Sequence, residues 1–253
     1  CPRIFYMQFD LGAPYSLLYK NKIEAIRRKY PKSIPPSEVD GKLQNFPFKA
    51  GRTAILAKEI IVKQFDSTAV DWKDKNNIEI IGTIGADLID DKVAIIDYPH
   101  GKLTISKRIP EKIIAHISLT KFIYSNRSVL FPAKVMGKQT ILYFDTGASM
   151  FELLTNKETC NQLAKPNAEL IQYTVKSWDK FMTANTLASN GTVELANTTI
   201  PLRFTTFMEG ISDTQIEHMS KMGISGMVGN KLFLNHILVI DTKNQKFGLT
   251  TPF

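Results

Sequence analysis

Phe144-Asp145-Thr146-Gly147-Ala148-Ser149 decides how this chain is read. A run rich in β-branched and aromatic residues, Thr140 to Phe144, stops there at an aspartate followed two residues later by glycine. Such a pattern predicts a strand entering a tight turn. The arrangement occurs again 135 residues upstream, where Ile4 to Phe9 leads into Asp10-Leu11-Gly12-Ala13. One Asp-x-Gly alone is more often a turn aspartate that caps backbone N–H groups than a chemical site. Two copies point to an internal repeat, which governs the whole fold where it exists.

Further anchors follow each turn in the same order. Gly82-Thr83-Ile84-Gly85 matches Gly226-Met227-Val228-Gly229 at an offset of 144 residues. Ala94-Ile95-Ile96-Asp97, followed by Lys102-Leu103-Thr104, matches Leu238-Val239-Ile240-Asp241 and Lys246-Phe247-Gly248, again at 144. Ile55-Leu56-Ala57 is a weaker match to Glu194-Leu195-Ala196, at 139. Ordered anchors with drifting offsets describe a duplicated unit of roughly 120 residues per copy, an ordinary domain size. Lys92 to Asp97 and His236 to Asp241 read as short buried strands. Asp97 and Asp241 recur too, but they end strands before turns and read as structural. Helices are expected at Leu18 to Lys29, at Ser212 to Met222, and after Thr155-Asn156-Lys157-Glu158, where a capping pattern opens a short helix carrying Cys160 and Leu163.

Composition narrows the function classes. The 253 residues are 43% hydrophobic and 22% charged, as in globular proteins. No apolar run approaches the roughly 20 residues that span a bilayer, so no membrane span is expected. Against 24 acidic residues stand 32 Lys and Arg, a net charge of +8, and residues 1–125 hold 20 basic and 14 acidic of these. That excess reads as a solvated helix face around Arg27-Arg28-Lys29, and no nucleic-acid partner is expected. Cys1 and Cys160 show no CxxC spacing, and His100, His116, His218 and His236 form no HExxH pair. Neither a disulfide framework nor a metal site is expected.

Taken together, the two Asp-x-Gly turns, the two hydrophobic-hydrophobic-Gly segments and the two apolar-Asp strands resemble the aspartic peptidases of the pepsin and retropepsin type. The resemblance covers nearly the whole chain. It implies a mostly β fold of two pseudo-twofold-related lobes with a cleft between them and few short helices. The N-terminal lobe would span 1–112, an interlobe connection 113–127 and the C-terminal lobe 128–253. Asp10 and Asp145 would be the catalytic pair. Two carboxylates about 3 Å apart cannot both ionise, so they share one proton. The ionised member would take a proton from a water while the other polarises the scissile carbonyl. Leu11, Gly12 and Ala13, with Thr146, Gly147 and Ala148, would form the active-site turns. The implied protein is a monomeric endopeptidase acting on peptide or protein substrates without metal or organic cofactor.

Two departures from that family shape the expectation. Ala13 and Ala148 stand where many pepsin-like enzymes carry a hydroxyl that donates to the carboxylate, and losing a donor to the charged form raises a pKa. A weakly acid optimum is therefore expected. Leu11 stands where the family has Thr or Ser, which leaves Thr146 alone to make the bond across the lobes. An alternative follows: a catalytically inactive module that binds a peptide or protein in the interlobe groove. Phe46 and Phe48 in the first half are weaker substrate-binding candidates. So are Tyr173 and Trp178 in the second, where Ile171 to Ser177 and Phe181 to Leu187 read as an extended hairpin. Val129 to Met136 supplies a strand before the second turn that the first copy lacks, so an upstream strand and a separate export signal are expected, with a periplasmic or extracellular location. Lipid modification of Cys1 is disfavoured because it would leave the first lobe short of that strand.

Overall fold

The computed structural model describes residues 3–34, 38–51, 53–64, 68–74, 76–177, 180–210, 219, 221 and 223–253. They fall into two compact units, 1–88 and 89–253. The first contains β1 (Tyr6–Phe9), β2 (Leu17–Tyr19), α1 (Lys20–Lys29), β3 (Glu38–Val39), β4 (Lys42–Ala50), β5 (Thr53–Lys63) and β6 (Ile80–Ile84). Its sheet runs β1-β6-β2-β5-β4-β3. The apolar run expected to continue Leu18 into a helix instead splits. Leu17–Tyr19 is a strand buried on both faces, and the helix begins only at Lys20. Ile23, Ala25 and Ile26 put one side of α1 into a core with Leu43, Phe46, Ile60 and Val62. Arg27, Arg28 and Lys29 close its last turn, where cations meet the negative end of the helix dipole. Beneath α1, buried Glu79 accepts from Lys22 Nζ at 2.8 Å and from the Asp71 amide at 2.7 Å, so the carboxylate enters the core with partners.

The second unit begins with β7 (Val93–Asp97), β8 (Lys102–Ser106), α2 (Glu111–Ile114), β9 (Thr120–Lys121), β10 (Ile123–Ser125), β11 (Ser128–Val135), β12 (Lys138–Phe144) and β13 (Leu153–Thr155). It continues through α3 (Lys157–Leu163), β14 (Ile171–Ser177), β15 (Lys180–Ala188), β16 (Thr192–Leu195), β17 (Thr198–Pro201), β18 (Phe204–Glu209), β19 (Ile224–Val228), β20 (Ile237–Asp241) and β21 (Lys246–Thr250). One sheet runs β14-β15-β18-β13-β19-β12-β11-β16-β17 with β10 beside β11, and a second runs β8-β7-β20-β21-β9. Among the described residues there are three α-helices, the longest of ten residues, so the chain is mostly β. None is long and apolar enough to cross a membrane.

The sheets repeat a motif. In the first unit β1 lies parallel to β6 with Phe9 opposite Ile84, and β2 lies antiparallel on the other side of β6 with Leu18 opposite Gly82. In the second, β12 lies parallel to β19 with Phe144 opposite Val228, and β13 lies antiparallel with Thr155 opposite Gly226. Next come β5, parallel to β2 with Ile61 opposite Leu17, and β18, parallel to β13 with Thr206 opposite Leu154. Strand pairing thus makes β18 the counterpart of β5. The weak match of Ile55-Leu56-Ala57 to Glu194-Leu195-Ala196 has no structural meaning, because the latter falls on β16.

Compact units divide earlier than residue 112. The strand Val93–Asp97 pairs residue for residue with its own repeat copy, Ile237–Asp241, and both are buried apolar runs that need cover on each face. That pairing puts β7 and β8 in the second unit. The expected connection over 113–127 holds the end of α2, then β9 on β21, then β10 on β11. The predicted helix after residue 155 forms, but Asn156 is its cap, accepting from the Thr159 amide at 2.8 Å. Most of the predicted helix Ser212 to Met222 lies outside the described residues. Asp97 and Asp241 are turn residues as expected, accepting from the His100 and Asn244 amides.

His236 precedes β20 with its Nδ1 buried and unpartnered among the described residues, and burial pushes its pKa below the ordinary 6.5. Below pH 6.5 the unfolded chain takes up a proton that the folded imidazole resists, so unfolding becomes easier as pH falls. Urea titrations should show stability dropping from pH 6.5 towards about pH 5. His236→Gln should flatten part of that slope, and an unchanged slope would contradict this assignment.

Candidate active site

Each Asp-x-Gly turn is built by backbone first. The Asp10 amide donates to Ile84 O at 2.9 Å, and the Asp145 amide donates to Val228 O at 3.0 Å, so each aspartate is the last residue its parallel strand pair holds. Each carboxylate is then turned back on its own chain. Gly12 N–H donates to Asp10 Oδ1 at 2.9 Å, and Gly147 N–H to Asp145 Oδ1 at 2.7 Å. A hydrogen bond to an ionised acceptor is stronger than a neutral one, and it fixes where the second oxygen points.

The glycine segments pass too close for a side chain. A Cβ on Gly85 would lie 2.7 Å from Ala13 O, and one on Gly229 would lie 2.0 Å from Ala148 O. Likewise, Cβ atoms on Gly82 and Gly226 would meet Leu17 O at 2.3 Å and Leu154 O at 2.5 Å. These two pairs explain why the repeat keeps Gly-x-x-Gly.

Outside the backbone the two turns differ. In the first, Asp87 Oδ1 accepts from the Ser16 amide at 2.9 Å and the Ser16 hydroxyl at 2.7 Å, while Ser16 Oγ accepts from the Gly85 amide at 3.0 Å. In the second, Asn230 Nδ2 donates to Thr146 O at 2.9 Å, and Tyr98 Oη donates to Asn230 Oδ1 at 2.6 Å. Leu11 is wholly buried and Ala13 nearly so, while Thr146 is buried and Gly147 and Ala148 are half-buried. Behind Asp145 stands an aromatic row: Phe144 meets Phe131 in a stack at 5.4 Å and Phe233 edge-on at 5.4 Å.

The chain is similar to an aspartic proteinase from Irpex lacteus, with 13% identity over 97% of this chain and 89% of that one, at a TM-score of 0.49. It is also similar to a retropepsin-like aspartic protease from Rickettsia conorii, with 15% identity over 53% of this chain and 92% of that one, at a TM-score of 0.35. No protein-family model and no curated protein sequence matches the chain.

The aromatic candidates separate into two kinds. Phe46 belongs to the core of the first unit, and Phe48 stacks on it at 5.8 Å, so both rings serve packing in the β4–β5 hairpin. Tyr173 sits on the expected β14–β15 hairpin, its hydroxyl 3.1 Å from Thr186 Oγ1. Together with Ser149 and Met150, just past the Asp145 turn, it helps to line an open pocket of about 480 Å³ whose other walls include Ile171, Phe204 and Lys231. That volume suits a side chain or small ligand. Trp178 lies outside the described residues, as does Cys1. Cys160 is a buried free thiol whose pKa burial raises, which suits packing and not reactivity. Among the described residues no three His, Cys, Asp or Glu side chains gather where they could hold a metal ion.

Sequence reasoning missed Ser16, Asp87, Tyr98 and Asn230. Position relative to the Gly-x-x-Gly anchors was the available signal, since Asn230 directly follows Gly229 and Asp87 follows Gly85 by two. Gly229→Ala should cost about 3 kcal/mol of unfolding free energy in urea titrations, because backbone oxygen and not a movable side chain meets the new methyl. A cost below about 1 kcal/mol would contradict the close approach of the two segments.

Proposed function

We propose that the chain is an aspartic endopeptidase in which Asp10 and Asp145 share one proton and activate water against a peptide bond. One observation carries this reading: the same strand-borne turn is made twice, each time with the carboxylate clamped by the glycine amide two residues on. A turn aspartate that merely caps its own backbone explains one such site. It gives no reason for a chain to keep two in duplicated surroundings.

On this reading the ionised carboxylate takes a proton from the water, and the resulting hydroxide attacks the carbonyl that the protonated partner polarises. The partner's proton then passes to the forming oxyanion to give a gem-diol; as the C–N bond breaks, the first carboxyl gives the proton it took from water to the leaving nitrogen, and the partner recovers one from a gem-diol hydroxyl. Clamping contributes by fixing the direction of each carboxylate before the transition state is reached. With alanine at positions 13 and 148, no hydroxyl at these positions supports the charged form, and the reading carries a weakly acid optimum. The pocket beside Ser149 and Tyr173 would take an apolar substrate side chain. Export to the periplasm or exterior remains part of the proposal.

The second reading, an inactive module that binds peptides, is favoured by Leu11, wholly buried where the resembled family carries a hydroxyl. Assay of a mixed peptide library between about pH 3 and 7 separates the two. An active enzyme should cleave, be blocked by a statine-containing peptide, and lose at least about a thousandfold in kcat in Asp10→Asn and in Asp145→Asn. Absence of cleavage at every pH, with retained binding of the statine peptide, would overturn catalysis in favour of the binding module.

A further inference from the structure

We propose that Tyr98 and Asn230 are positioning residues for the Asp145 carboxylate, acting through the Thr146–Gly147 peptide plane. The inference rests on the reading of Asp145 as a catalytic group. Thr146 O and Gly147 N–H are the two ends of one planar peptide. Its oxygen accepts from Asn230 Nδ2 at 2.9 Å, and its N–H donates to Asp145 Oδ1 at 2.7 Å. Rotating that plane about the line between its flanking Cα atoms would swing the N–H off the carboxylate while barely moving the chain on either side. Holding the oxygen therefore holds the donor. Polarisation acts in the same direction, since an amide that accepts at its oxygen is a stronger donor at its nitrogen.

The Asn230 amide has a defined direction because its two ends meet different partners. Oδ1 accepts from the Tyr98 hydroxyl at 2.6 Å, which leaves Nδ2 for the carbonyl. Reversing the amide would set its oxygen against the Thr146 carbonyl oxygen, two acceptors with no hydrogen between them. Tyr98 stays a donor, since burial pushes its phenol pKa above the ordinary 10.0. Its ring stacks on Phe233 at 6.1 Å, and Phe233 packs edge-on against Phe144, the residue before Asp145. Phenol, amide and aspartate thus share one aromatic wall. At the repeat offset of 144, Ala86 occupies the place of Asn230 and Thr242 that of Tyr98, so the first turn has no such amide.

The test compares the whole chain with Tyr98→Phe, which keeps the ring, and Asn230→Ala. Kinetics on a cleaved peptide should show kcat reduced about tenfold with KM within twofold, the pattern of a misdirected group and not of lost binding. Independently of activity, ¹⁵N-glycine labelling reports amide exchange at Gly147, which should quicken about tenfold in both variants while Gly12 stays unchanged. Unaltered Gly147 exchange, or an unaltered kcat in an active enzyme, would overturn the proposal. So would faster exchange at all glycines, Gly12 included, because it would make the two residues ordinary stabilisers. Should the wild type cleave nothing, the functional reading fails on its own, and Gly147 exchange still decides whether the strap exists.

Discussion

A carboxylate on a short side chain can swing through a wide cone, and both aspartates of this chain are denied that freedom by hydrogen bonds from their own backbone. Gly12 and Gly147 each donate to the Oδ1 of the aspartate two residues earlier, and the aspartate amides in turn reach the strands Ile80–Ile84 and Ile224–Val228. Much of the surrounding architecture follows from that constraint. The strand before each aspartate is held by a parallel neighbour that is itself partly buried. The neighbour must come within reach of the turn, so it carries glycine where a methyl would strike a carbonyl. Phe144, wholly buried, ties the second turn to the aromatic core of its unit.

The same clamp is supported by different chemistry in the two halves. A charged group, Asp87, steadies Ser16 and through it the Gly85 amide in the first. A neutral phenol and amide steady the carbonyl of Thr146 in the second. The backbone arrangement leaves little room for alternatives, while the side chains outside it can be exchanged. Leu11 and Thr146 show that freedom inside the turns themselves. Replacing a buried hydroxyl by a packed apolar group costs little where no partner is left unsatisfied. Two aspartates in unequal surroundings have no reason to be equivalent.

Legibility in the sequence tracked the range of the determining forces. Asp-x-Gly turns and Gly-x-x-Gly segments were readable because the backbone forbids other residues there, so the constraint is written in residue identity. Strands Val93–Asp97 and Ile237–Asp241 were readable as buried runs. That they pair with each other, and so carry β7 and β8 into the second unit, was not, because an apolar run does not name its partner. Leu17–Tyr19 was hidden inside a helical pattern, since its three buried residues continue the apolar face of α1 without a breaker. The ring of Phe46 belongs to the core, which an aromatic residue beside a hairpin does not reveal by its identity. Tyr98 and Asn230 lie 132 residues apart and only the fold brings them together.

The central claim is that the carboxyl groups of Asp10 and Asp145 titrate as one coupled system. Carboxyl ¹³C NMR across about pH 2 to 8, on the wild type and on each single Asp→Asn variant, addresses it most directly. Coupling predicts two separated steps, each sensed at both aspartates, that collapse to a single step near an ordinary carboxyl value once either partner is made neutral. Titration curves at Asp10 that are indifferent to replacement of Asp145, and the reverse, would show two independent turn aspartates and contradict the account.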